Sequence, residues 1–387
     1  MKIKEVQSDK DIKAFHRIPF LIYKDDKNWV SHLKQDVEKV FDPKKNKMFR
    51  HGKASRWILY SDGGECIGRI AAFYDEKYSK GMEQPTGGLG FFECIHDQKA
   101  AFLLFDTACA WLKDLGAESV DGPINFGEKN MFWGLQIENF TSPPSYGMNY
   151  NPEYYTEIFK AYGFQVYYEQ LVYHRDIYLP AQDVFVRKYN MLMSDPDYRI
   201  SDANGMSAEQ LSQDFLTVYN SAWGGHHGFK PMALAQAKKV IQALKPVMDP
   251  DIVVFAYHKE KPVAFYVNIP ELNEIFSHVK GNLNWWGKLL FVWHKWRKTS
   301  KTMVGIVFGI DREYQGKGID GALIKWSELH IVSKKRYNQT ILTWIGDFNP
   351  KMIRIADSLG ANVHRKLATY RKHFDESKEF ARMPIAK

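Results

Sequence analysis

The chain has 387 residues, 45% hydrophobic, 25% charged and 15% aromatic, which supports two or three domains of ~150 residues and excludes a disordered, fibrous or disulfide-stapled mini-protein. Its net charge of +8 sits mostly in one stretch: residues 277–301 carry Lys280, Lys288, Lys295, Arg297, Lys298 and Lys301 and no acid, leaving about +2 elsewhere. A general nucleic-acid binder spreads its cations over a face, so a nucleic-acid partner is not expected. No apolar run approaches the ~20 residues that span a bilayer. The first residues, MKIKEV, are too polar for a signal peptide, so a cytoplasmic protein is expected. Cys66, Cys94 and Cys109 are odd in number and lack Cys-x-x-Cys spacing, so packed, reduced thiols are expected.

In chain order, a short stretch from Ile3 precedes a helical run, and RWILYS, CIGRIAAFY and LGFFECI read as strands. A helix over 99–115 ends at Gly116. The loop 122–150 is too rich in aromatics for a plain linker; it is read either as a wall of an acceptor site or as an ordered loop packed on the other domain. Asn-Pro, a helical stretch and Gly follow at 151–163. About 200 residues on, the order repeats. Ile200 again precedes a helical run, IVVFAYH, PVAFYVNI and MVGIVFGI read as strands, 319–331 as a helix with Leu323, Trp326 and His330 on one face, and Asn-Pro, helix, Gly recurs at 349–360. A repeat this long means two homologous domains, each an α/β (α+β) layer with a mixed, mostly antiparallel sheet flanked by helices. The expected division is 1–178, a linker at 179–197, and 198–387, with a basic Trp-rich insert at 281–301.

Chemistry concentrates at 310–321, IDREYQGKGIDG, between a strand and an amphipathic helix. Gly316 and Gly318 permit positive φ and close approach of an anion, so successive N–H groups and the helix N-terminus can converge on a pyrophosphate, with Lys317 adding a cation. Gly-x-Gly alone also marks ordinary turns.

The run EYQGKGID resembles the acyl-CoA-binding signature Arg/Gln-x-x-Gly-x-Gly/Ala of the GNAT acyltransferase superfamily, and the chain is similar to a tandem GNAT protein in the order of its elements. The Asn-Pro helices resemble that superfamily's second segment, with Asn349 at the position bordering the CoA arm. GFFEC, YNPEYY and GKGID resemble a bacterial two-domain subfamily for which acylation of long-chain sphingoid amines is one proposed activity. The resemblance implies acyl-CoA or acetyl-CoA held by Phe308, Ile310, Gln315, Gly316, Lys317, Gly318, Ile319, Asp320, Gly321 and Asn349. The thioester is then attacked directly by a primary amine, with a strand amide stabilising the oxyanion.

Two positions depart from the pattern. Asp320 stands where the signature has Gly or Ala, and would repel a pyrophosphate ~4–5 Å away unless a cation intervenes; the other reading makes Asp320 a helix cap. Ala356 stands where the superfamily often has a Tyr that protonates the leaving thiolate. The first half offers Ile95-His96-Asp97-Gln98 at the equivalent turn, with no glycine and no cradle.

An alkylammonium needs a general base, and the candidates, in order, are Asp347, Glu271 and His226. Each also has a bland reading: backbone binding for Asp347, solvation for Glu271, loop surface for the histidines. Adjacent His226 and His227 do not face one metal, and no metal is expected. Within 281–301, a helix would align Trp286, Leu289, Leu290, Trp293 and Trp296, with Lys288, Lys295 and Lys298 opposite, a composition suited to lipid. A helix covering the core, or an RNA-stacking surface, is the alternative. The expected function is an acyl-CoA-dependent N-acyltransferase acting on a primary amine, with a long-chain or lipid amine among the acceptors considered; the alternative is a catalytically silent tandem fold that binds CoA, lipid or a protein partner.

Overall fold

The computed structural model describes residues 1–224 and 230–385. The first half contains β1 (Lys2–Glu5), α1 (Asp9–Ile22), α2 (Lys34–Phe41), β2 (Gly52–Tyr60), β3 (Cys66–Asp75), α3 (Glu76–Lys80), β4 (Thr86–Cys94) and α4 (Gln98–Asp114). It ends with β5 (Ser119–Gly122), β6 (Leu135–Glu138), α5 (Tyr155–Ala161) and β7 (Gln165–Asp176). Residues 179–197, expected as a linker, contain a helix, α6 (Asp183–Met193). The second half runs β8 (Tyr198–Asp202), α7 (Ala208–Trp223), α8 (Leu234–Leu244), β9 (Val253–His258), β10 (Lys261–Pro270), α9 (Asn273–Phe276) and α10 (Trp285–Trp296). It is completed by β11 (Thr302–Ile310), α11 (Ile319–Lys334), β12 (Gln339–Gly346), α12 (Pro350–Ser358) and β13 (Asn362–His373).

Local chemistry explains where the helices begin. Ser8 and Asp11 form a reciprocal capping box on α1. Asp97 caps α4 by accepting from the Ala100 N–H at 3.0 Å, and Ala100, Leu104, Ala108 and Leu112 then bury one face at helical spacing. Cys94 and Cys109 are buried free thiols, and burial pushes them up to about 12 and about 11, so both stay protonated and inert at neutral pH.

The strands form one sheet in the order β1-β2-β3-β4-β5-β13-β7-β12-β11-β10-β9-β8, with β6 on β13. Most neighbours are antiparallel; β4–β5 and β11–β12 are the parallel pairs among the described strands. The fold class expected from the sequence is therefore present, but the halves exchange their last strands. The final strand of the second half, β13, pairs with β5 of the first. The final strand of the first half, β7, pairs with β12 of the second, and β7 and β13 pair with each other at the centre.

In the second half, β11 and β12 are in register for four residues, Thr302 to Gly305 against Gln339 to Leu342, and then part. A register shift in the β10–β11 ladder, where Val267 faces Val307 but Asn268 faces Gly305, leaves Ile306 as an extra residue, a β-bulge at the fork. The first half opens a similar fork after Gly88 and Asp121. There the chain fills it: the Ile124 N–H donates to the Leu89 carbonyl at 2.7 Å, and a Cβ on Gly90 would meet the Ile124 carbonyl at 2.0 Å.

Because β13 closes both halves, Leu367→Ala is expected to cost about 3 kcal/mol through the cavity it leaves. Urea denaturation should show one cooperative transition moving as a unit, with near-UV signals of both halves lost together.

Candidate active site

The fork between β11 and β12 opens into a cavity of about 480 Å3. Its walls come from Val307 and Phe308 of β11, Thr343 and Ile345 of β12, Ile324 and Ile331 of α11, Ile355 and Ala356 of α12, and Phe185 of α6. The lining is overwhelmingly apolar. Asn349 also lines it, and its side-chain Oδ1 accepts from the Met352 N–H at 3.3 Å and caps α12, with Pro350 fixing the first helical residue. Ala356 is 1% exposed and carries no hydroxyl to the site.

At the head of α11 the strand-to-helix turn has the expected backbone. Gly316 and Gly318 take φ of +76° and +84°, and Gly316 has open space where a side chain would be. Gly318 is the N-cap, so the sequence-based reading of Asp320 as the cap does not hold: Asp320 sits in the first turn, beyond it. Its carboxylate instead accepts from Lys188 of α6 at 2.7 Å. That pair supplies the cation a pyrophosphate would need beside Asp320. Gly321 is required by the same packing, since a Cβ there would meet Lys188 at 2.5 Å and Phe185 at 2.9 Å. Lys317 lies over the Tyr314 ring at 4.8 Å, and Gln315 donates to the Ile310 carbonyl at 3.3 Å. Ile319 is buried in the core beneath the turn, and Ile310 packs against that core.

The structure brings Phe308, Asn349 and Ala356 to one cavity and groups Gln315 to Gly321 at the turn; of the candidate bases, Asp347 and Glu271 do not join them. Asp347 is ion-paired with Arg382 at 2.5 Å and is not among the lining residues. Glu271 is buried where the two halves meet, its Oε1 accepting from the N–H groups of Tyr146 and Asn273, both at 2.8 Å. His226 lies outside the described residues. The loop 122–150 packs between the halves, with Pro144 accepting from Asn273 at 2.8 Å and Ser142 and Pro143 from Arg365. None of its described residues lines the cavity.

Among the polar groups lining it that sequence reasoning missed are Arg175, Tyr266 and Glu328. Arg175 belongs to β7 of the first half and faces Thr340 of β12 through the strand exchange. Its guanidinium lies 4.0 Å from Oε2 of Glu328, whose other oxygen is 2.9 Å from Lys325. Glu328 Oε2 is buried with no hydrogen-bond partner among the described residues. An acceptor of this kind in an apolar wall can receive an N–H or O–H from a substrate. Burial raises the Tyr266 phenol above its ordinary value, so the ring offers a hydroxyl donor rather than a phenolate. Helical spacing of Ser327, Glu328 and Ile331 was the available signal for the α11 wall; Arg175 had none.

Comparison with known proteins agrees with this architecture. No protein-family model matches the chain. It is 26% identical over 376 residues to protein YghO of Escherichia coli (strain K12), across 94% of this chain and 93% of that one. It is also 26% identical over 388 residues to a bacterial ceramide synthase of Caulobacter vibrioides (strain NA1000 / CB15N), across 95% and 96%. Among solved structures, a tandem GNAT protein from the clavulanic acid biosynthesis pathway superposes with a TM-score of 0.52 at 9% identity, covering 96% of this chain and 98% of that one. A GCN5-related glucosamine N-acetyltransferase region in a fungal multi-domain GH3 β-N-acetylglucosaminidase superposes at 0.54 with 10% identity, covering 96% of this chain but only 38% of the longer fungal chain. The fold is the tandem GNAT fold.

Burial pushes the Glu271 carboxyl up to about 7, so the folded state holds its proton more tightly than the unfolded chain between pH ~4.5 and ~7. The stability this contributes is complete below ~4.5 and is lost as pH rises through ~7. Glu271→Gln has no such loss: relative to wild type it should gain about 2 kcal/mol between pH 5 and pH 8, measured by urea denaturation at both.

Proposed function

We propose that this chain is an acyl-CoA-dependent N-acyltransferase whose second half binds the thioester and whose acceptor is a primary amine, in the first instance a long-chain one. The observation that carries it is the juxtaposition of a glycine-formed turn at the head of α11 with the forked, bulged β11–β12 pair opening into an apolar cavity. The turn suits a pyrophosphate, and Lys188 offsets the charge of Asp320 beside it. Backbone groups left unpaired along a fork suit the extended, amide-bearing arm of CoA. An amide at the Ile306 bulge can meet the thioester oxygen as it becomes an oxyanion. The amine attacks the carbonyl carbon, the C–S bond breaks, and CoA leaves as a thiolate that takes a proton, so no Cys or Ser nucleophile is needed. Glu328 Oε2 is suited to hold an N–H of the acceptor, and the Tyr266 hydroxyl to supply a proton where Ala356 cannot. The base remains among Asp347, Glu271 and His226, and the first two reach the reacting atoms only by rearrangement or through water. Support for a long-chain amine is the apolar lining and the resemblance to a protein named a bacterial ceramide synthase.

A second reading, a silent fold that binds CoA or lipid without turnover, is favoured by one contact: α6 packs so closely on the turn that a Cβ on Gly318 would meet Met191 at 3.1 Å. One assay separates the two. Purified chain with palmitoyl-CoA and sphinganine should release free thiol and form the amide; binding of the thioester by calorimetry with no thiol released on any amine favours the silent fold, and no binding rejects both CoA readings.

The Lys188–Asp320 pair gives a sharper expectation. Lys188→Ala should weaken CoA binding about tenfold by exposing the phosphate to an unpaired carboxylate. Adding Asp320→Asn to that variant should restore most of the loss, a coupling read by titration calorimetry.

A further inference from the structure

The insert forms a helix as its sequence permits, but the apolar side is turned outward. α10 is seated through its small and narrow face: Gly287 is buried, Phe291 stacks on Phe276 at 5.6 Å, and His294 stacks on His278 at 4.1 Å. A Cβ on Gly287 would meet the Asn282 carbonyl at 2.1 Å. The segment is latched to the first half by the Lys34 N–H donating to the Gly281 carbonyl at 3.0 Å. With α10 held this way, Trp285, Trp286, Leu289, Val292, Trp293 and Trp296 all project into solvent, Trp286 at 66% and Trp296 at 77% exposure. Buried, these side chains would stabilise the fold; exposed together on one helix they form a patch of the kind that marks an interaction surface.

The cations around this patch say what it meets. Lys280, Lys288, Arg297, Lys298 and Lys301 are all exposed, and no acidic residue lies in 277–301. Arg297 lies over the Trp293 ring at 4.8 Å, and Lys295 is turned inward to the Pro246 carbonyl. Apolar rings central, cations peripheral and no acid within the segment, with Glu274 just before it tied up by the Lys301 N–H and the Thr302 hydroxyl, is the arrangement that fits the surface of an anionic bilayer, rings at headgroup depth and cations against phosphates. A second copy of this chain would bring like-charged rims together. The aliphatic Leu289, Leu290 and Val292 between the tryptophans suit acyl chains better than stacked bases. No helix among the described residues is long and apolar enough to cross a membrane, so the contact is peripheral.

We infer that the outward face of α10 is a docking surface for an anionic lipid bilayer. The inference does not depend on the catalytic reading. Flotation of the full chain with vesicles of phosphatidylcholine, alone or mixed with phosphatidylglycerol, tests it. The chain should partition into the anionic vesicles about tenfold better than into the neutral ones, and lose that advantage at about 0.5 M NaCl. Trp286→Ser/Trp293→Ser/Trp296→Ser and, separately, Lys288→Glu/Arg297→Glu/Lys298→Glu should each cut the anionic partition about tenfold, with far-UV dichroism and melting unchanged. Brominated lipid in the anionic vesicles should quench the tryptophan emission of the unaltered chain, a readout that needs no variant. The inference is overturned by absence of partition and quenching with either vesicle, by partition that neither variant reduces, by a concentration-dependent dimer in ultracentrifugation that the Trp variant abolishes while vesicles do not bind, or by RNA retention lost in the same variants without vesicle binding.

Discussion

Parallel pairing between β11 and β12 holds for four residues and then stops, and that loss of pairing is the constraint on which the site depends. Backbone N–H and C=O groups must find partners, and two strands that diverge leave their facing edges unsatisfied. The bulge at Ile306 widens the angle, and the parallel connection through α11 places a helix N-terminus at the wide end of the fork. Apolar side chains from α11, α12 and α6 then roof the gap without filling it. A groove, a positive pole and an apolar chamber thus arise from one event in the sheet.

The first half shows what happens when the same fork is not kept open. Ile124 and its neighbours enter it and satisfy the Leu89 carbonyl, and Asp97 takes the cap position where the second half has Gly318. A buried polar cluster occupies the region beyond: Glu93, pushed up to about 7 by burial, accepts from Tyr23 at 2.7 Å and Tyr155 at 3.0 Å, with Arg69 at 3.6 Å. This half has become a support. Through β7 it also lends Arg175 to the chamber of its neighbour.

How much of this was legible follows from the range of each interaction. Gly316, Gly318 and Asn349 act on their own backbone within a few residues, so their spacing in the sequence carries the turn and the cap. The absent cradle at Ile95 to Gln98 was readable for the same reason. Lys188 and Asp320 are far apart in the chain and meet only because α6 lies across α11; with no glycine turn or strand pattern to mark it, α6 reads as linker. The exchange of β7 and β13 is invisible because each strand has the same alternation whichever neighbour it joins. Asp347 looked well placed beside the fork, yet Arg382 from the C-terminal tail claims it. The outward tilt of the α10 tryptophans depends on Gly287 and His294 being the seat, and periodicity fixes which residues share a face without fixing which way that face points.

The exchanged strand also sets an order of events during synthesis. Residues 362–373 are made well after β5 and β7, and until they emerge β5 has no partner on its open side and β7 lacks its central neighbour. A first half made early is therefore unable to finish early, unlike the independent domains that usually fold as they emerge. From the emergence of β5 until β13 follows, the nascent chain carries a bare sheet edge, a hazard of sticky encounters that a chaperone holding the half-made product would relieve.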